Sequence, residues 1–156
     1  SAVLQLSEWK SWGEVAEAFT PLYDDDGVLD AEVEAEIARI AAEESTQAGQ
    51  AAAILRFTQS AVRYLAISMG EGGYTPRSLA DICSTRYGDC KDKSKLYVQM
   101  ARRLGLDACP ALVNTRDQYG LENWLPSALA FDHCIVRVTV DGRVVSTGMY
   151  PSKAQL

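Results

Sequence analysis

Residues 131–147, "FDHCIVRVTVDGRVVST", constrain the fold more than any other stretch of the chain. Alternation with a period of two puts Cys134, Val136, Val138 and Val140 on one face and Phe131, His133, Ile135, Arg137 and Thr139 on the other. Asp141-Gly142 then supplies a two-residue turn into "RVVST", the strongest short-range signal for an antiparallel hairpin. The all-apolar face must be the core, so His133 is expected to point away from it, toward a helix or cleft. "ACPALVN" (108–114) reads as a further strand.

Everything before residue 105 has a helical period instead. Trp9, Trp12, Val15, Phe19 and Tyr23 recur at spacings of three and four over residues 9–23, with Pro21 limiting the helix near its end. Such a face of aromatics is expected to be core. Asp30 is placed to cap a second helix, with Glu32 and Glu34 near its positive end and Val33, Ile37, Ile40 and Ala41 on its apolar side. A third helix is expected over 47–67, through Ile54, Phe57, Ala61, Tyr64 and Leu65. The glycine-rich "GEGGYTP" after it lacks the G-K-[ST] of a phosphate loop and reads as a turn, with Tyr74 anchoring it. Ser78 caps a short helix from Leu79 to Cys83. Helices first and an antiparallel sheet last define an α+β fold.

The best-marked helix follows "RYGDCKDKS" (86–94). Asp89 is the expected N-cap, and Tyr97, Met100, Ala101 and Leu104 form the buried stripe. Arg102, Arg103 and Gly105 suit the C-terminal end. Cys90 is thereby the first helical residue. Unpaired N–H groups at a helix start favour a thiolate, and Lys91 and Lys93 add to the effect while Asp89 and Asp92 oppose it. The backbone N–H of Cys90 has no partner within the helix and is free to donate to an oxyanion. A nucleophilic thiol also needs a base, and His133 is the single histidine of the chain.

Other classes of function find less support. The 156 residues suit one domain, and their net charge of −6 argues against nucleic acid as a partner. No stretch approaches the roughly 18 apolar residues of a membrane span, and no signal peptide is visible. Cys83, Cys90, Cys109 and Cys134 form no C-x-x-C pair, and with one histidine they make no zinc set, so no metal or other cofactor is expected. Asp24-Asp25-Asp26-Gly27 lacks the spacing of a calcium loop. Cys83, Cys109 and Cys134 read as packing residues.

The stretches "RYLAISMGEGGYTPRSLADICSTRYGDCKDKSKL", "ARRLGLDACPALVN" and "LPSALAFDHCIV", with "SWGEVAEAF" more loosely, resemble the bacterial branch of the transglutaminase-like superfamily. The resemblance implies a papain-like core with its nucleophile at a helix N-terminus. It implies that Cys90 is the nucleophile and His133 its general base. It also implies a protein or peptide substrate, further domains in the parent chain and export to the cell envelope. The chain opens on Ser rather than Met, and 1–156 is expected to be one such domain excised from something longer.

One departure stands out. The family places an orienting Asp on the strand after the histidine, where this sequence has Thr147 or Gly148. Asp141 sits in the turn, and Asp132 is expected on the face opposite His133. The leading expectation is thiol-dependent acyl transfer on amides, ending on an amine or on water. The alternative is a non-catalytic peptide-binding module that kept the cleft and lost the triad.

Overall fold

A computed structural model describes residues 4–24, 27–65, 73–116 and 120–149. Its first three helices each open on a side-chain cap. Ser11 accepts from Glu14 N–H to start α1 (Trp12–Tyr23). Asp30 accepts from Val33 N–H to start α2 (Ala31–Glu43), and Thr46 from Gly49 N–H to start α3 (Gln47–Ala61). Each such cap contributes about 1 kcal/mol by satisfying an amide that the helix cannot.

α3 stops at Ala61, short of the expected residue 67. Arg63 and Tyr64 form a two-residue strand, β1. Their neighbours are drawn off the helix: Arg63 N–H donates to Arg86 C=O at 2.8 Å and Leu65 N–H to Gly88 C=O at 3.0 Å. A parallel pairing with β2 (Tyr87–Gly88) therefore overrides local helical preference. The rest of the expected helix, residues 66 and 67, lies outside the described residues, as do residues 70–72 of the glycine-rich turn. Between β1 and β2, Ser78 caps α4 (Leu79–Thr85).

α5 (Cys90–Arg103) is the centre of the molecule. Leu96, Tyr97, Val98, Met100 and Ala101 are buried in one core with Ile54 of α3 and with Val136 and Val138 of the sheet. The sheet has three antiparallel strands in the order β3 (Ala108–Val113), β4 (His133–Val140), β5 (Arg143–Gly148). The Asp-Gly turn is formed as expected, with φ of 50° at Asp141 and 75° at Gly142. Along β4, Cys134, Val136 and Val138 are buried and the residues between them are not, so the apolar face is the core face. The fold is α+β.

Strand register also fixes where backbone groups point. Val140 and Arg143 close the two-residue turn, so the even-numbered residues of β4 bond to β5 and the odd-numbered ones to β3. Thr139 N–H accordingly donates to Asp107 C=O at 2.8 Å. It follows that Ala108, Pro110 and Leu112, opposite Val138, Val136 and Cys134, turn their backbone groups outward to the edge of the sheet. Pro110 has no N–H to offer a ladder and fits such an edge. Ala108 C=O confirms the direction by accepting from Arg102 Nε at 3.2 Å.

Candidate functional site

The start of α5 is built almost entirely from satisfied polar groups. Asp89 carboxylate accepts from Lys91 N–H and Asp92 N–H, and Asp92 returns a bond to Asp89 N–H to complete a capping box. Asp92 also binds Arg77, through its backbone N–H at 2.8 Å and its Nε at 3.0 Å. Gly88 is required here, because a Cβ at that position would stand 2.7 Å from the Asp92 Cβ. Lys91 Nζ pairs with Asp89. Ser94 Oγ reaches Cys134 C=O at 3.5 Å.

Lys93 does not act on the thiol as the sequence suggested. Its side chain is fully buried and donates to Val62 C=O at 2.8 Å and Gln59 C=O at 3.4 Å, closing the end of α3. Burial lowers its pKa from 10.5 to about 8. The Lys91 charge lowers the Cys90 pKa.

Every residue from Gly88 to Val98 is buried except Cys90. The thiol opens into a cavity of about 200 Å³ whose walls include His133, Tyr74, Tyr23, Phe131 and Leu112. Cys90 and His133 are thus brought to one cavity, from the first residue of α5 and the first residue of β4. The sulfur lies against the backbone of Cys134, the residue after His133. Three of the four first-turn amides of α5, those of Lys91, Asp92 and Lys93, are spent on Asp89. That of Cys90 is the one left without a partner in the helix or its cap.

The electrostatics differ from the expected activated thiol. Burial pushes the Cys90 pKa up, and backbone hydrogen bonding at Cys134 and Lys91 offsets this only in part. The nearby Asp89 carboxylate adds to the rise, while its ion-pair partner Lys91 opposes it. Burial lowers the His133 pKa, against a pull upward from Asp132. Both shifts favour the neutral thiol and the neutral imidazole over an ion pair. Alkylation of Cys90 by iodoacetamide, followed by peptide mapping in a Cys109→Ser background, should rise with a midpoint above its ordinary value of 9.0. A midpoint below 8.5 would show an ion pair instead. Cys134, buried and pushed up to about 11, should label later.

Neither residue proposed for the third position faces His133 directly. Thr147 pairs with Val136, on the core side of the sheet. Gly148 pairs with Ile135 and so shares the His133 face one ladder step away. The described pairing of β4 with β5 begins at Ile135 and Gly148. Asp132 is held by Thr115, through N–H at 2.8 Å and Oγ1 at 2.9 Å, with Arg116 beside it.

The aromatic face of α1 is a wall, not core. Only Val15 and Tyr23 of this helix are buried. Trp12 meets Phe131 edge to face at 5.6 Å between ring centroids, and Phe19 meets Tyr74 at 5.5 Å. Tyr23 hydroxyl donates to Cys134 Sγ at 3.4 Å and reaches the thiol cavity, a placement the sequence reading missed. Its only signal in the sequence is the last position of the aromatic stripe. Trp124 is exposed and takes no part in this wall. Tyr87 stacks under Arg77 at 4.4 Å, a structural contact.

Comparison with known proteins bears on this arrangement. A crystal structure from Parabacteroides distasonis, described as that of a candidate protease, superposes with a TM-score of 0.72 at 17% identity. It covers 92% of this chain but only 27% of the other. A second crystal structure, described as that of a TGase, gives 0.56 at 14% identity, covering 88% and 37%. The chain thus spans about a third or less of the length of these structures, and the likeness is one of fold. No curated protein matches it. The family model "Transglutaminase-like superfamily" matches residues 35–145, a span that takes in both Cys90 and His133. That match covers well over half of the sequence, and the chain belongs to the transglutaminase-like superfamily.

Proposed function

We propose that this domain transfers acyl groups from peptide or protein amides through Cys90, with His133 as its base. The observation that carries the reading is the exposure of one thiol, within an otherwise buried helix start, into a cavity walled by the one histidine of the chain. His133 takes the Cys90 proton as sulfur attacks the amide carbon. The oxygen, now negative, is met by the free N–H of Cys90. The imidazolium returns the proton to the departing ammonia or amine, leaving a thioester. Water resolves it to an acid, and a second amine resolves it to a new amide. The parent chain is proposed to hold further domains beside this one, in keeping with the greater length of both structures it resembles.

A second reading, binding without turnover, is favoured by one feature. The described residues of β5, from Arg143 to Gly148, hold no carboxylate to steady His133. Intact-mass measurement after incubation with a glutamine-containing peptide separates the two. Acyl transfer predicts an adduct equal to the peptide less ammonia, lost in Cys90→Ala and discharged by hydroxylamine. Peptide bound by Cys90→Ala with no adduct on the wild type would establish the binding module.

A further inference from the structure

We infer that the cavity between α1 and the edge of β3 receives a bulky apolar side chain of the peptide whose amide is attacked. This inference rests on the acyl-transfer reading and names its substrate class. The cavity holds about 440 Å³, within the roughly 300–1,000 Å³ of small-ligand sites. Trp12, Ala16 and Phe19 of α1 form one side, and Ala111 and Leu112 of β3 the other. Phe131, edge to face with Trp12, lines it as well. The lining is mostly apolar, with Thr20, Glu122 and Tyr23 as the residues that carry polar side-chain atoms.

Two observations select a peptide over other apolar occupants. The first is continuity: Tyr23, Leu112 and Phe131 line both this cavity and the one that holds Cys90. A chain lying across those shared residues has one group at the sulfur and a neighbouring side chain in the apolar space. The second is the backbone of β3. The register turns Pro110 C=O and both Leu112 N–H and C=O outward, on the strand that walls the cavity. A peptide main chain matches that pattern of one donor and two acceptors, pairing as an added strand does. A hydrocarbon chain would leave it unanswered.

Bulk at the mouth of the cavity decides specificity, and Ala16 sets it from the α1 side. It is an exposed helical position, so Ala16→Phe fills the space without disturbing the core. Chemistry and recognition are read separately. Glutamine peptides differing only in the residue beside glutamine (Phe, Leu or Ala) are titrated by fluorescence anisotropy against Cys90→Ala protein, with decanoic acid as competitor. Their acylation of wild-type protein is followed by intact mass, with a small activated ester as a control for the thiol itself.

Phe and Leu peptides should bind about tenfold to a hundredfold tighter than the Ala peptide, the ratio expected for burying such a side chain. Ala16→Phe should reduce that ratio to under about threefold, with its thermal midpoint checking the fold. A preference in binding with no acylation by peptide or ester would overturn the acyl-transfer reading and leave the cavity assignment standing. Brisk ester acylation with Phe, Leu and Ala peptides bound equally would overturn the assignment. So would displacement of every peptide preference by decanoic acid at far lower concentration than peptide.

Discussion

Replacing His133 by Ala should slow acylation of Cys90 by about 10²-fold or more at pH 7, while the thermal midpoint moves by only a few degrees. The size follows from the resting state of the site. Burial holds the thiol pKa above its ordinary value, so it ionises unaided less readily than an ordinary thiol at neutral pH. A neutral imidazole in the same cavity removes that handicap by taking the proton during attack, and general base catalysis contributes typically 10²–10⁴-fold. The pH profile separates this role from a structural one. His133 acts as a base only when neutral, and its pKa is lowered from 6.5, so the wild-type rate should fall as pH drops through a value below 6.5. His133→Ala should lose that limb and instead rise with the thiol above pH 9. The gap between the two proteins should close to under about tenfold at pH 10. A gap unchanged across that range would mean that His133 supports the fold and not the proton transfer. Stopped-flow release of nitrophenolate from an activated ester reads every rate needed.

The elements that set up this pair were legible because each is local. Alternation from Cys134 to Val140 and the Asp-Gly turn specify the hairpin within a dozen residues. Asp89 three places before Asp92, ahead of an apolar stripe, marks a helix start and puts Cys90 at its first turn. The resemblance to a known family joined those two marks into one site. What was hidden depends on partners distant in sequence. Lys93 looks like a solvated lysine until Val62 C=O, 31 residues earlier, is seen to accept from it. The raised thiol pKa reflects burial against β4 and α1, which no helix-start argument contains. Trp12 and Phe19 have the spacing of core residues, but their face lines a cavity shared with Ala111 and Leu112 of β3. The third position was left between Thr147 and Gly148 for a related reason. A period of two tells which residues share a face but not which lie opposite each other. The pairing of Ile135 with Gly148 had to be observed.

The start of α5 is also where the fold should be most easily broken. Asp92→Ala should destabilise the domain by about 3 kcal/mol, toward the lower end for breaking a buried ion pair because Arg77 keeps some contact with solvent. Asp92 is 1% exposed and serves three partners at once: Asp89 N–H, Arg77 N–H and Arg77 Nε. Without it, Arg77 keeps Tyr87 C=O and the Tyr87 ring but loses its counter-charge. Two backbone donors lose their acceptor as well, each at a cost of about 1–3 kcal/mol when buried. For a chain of this size the loss corresponds to roughly 6–12 °C in thermal midpoint, which calorimetry resolves easily. Asp92→Asn distinguishes charge from hydrogen bonding. Its amide oxygen can still accept from Arg77 N–H, but its NH₂ faces the Arg77 guanidinium, so it should recover less than half of the loss. Recovery in full would mean that the hydrogen bond to the backbone carries the stability and the ion pair contributes little. Either variant should also dull Cys90, because the amide that would meet the oxyanion is aimed by the same helix turn that Asp92 holds in place.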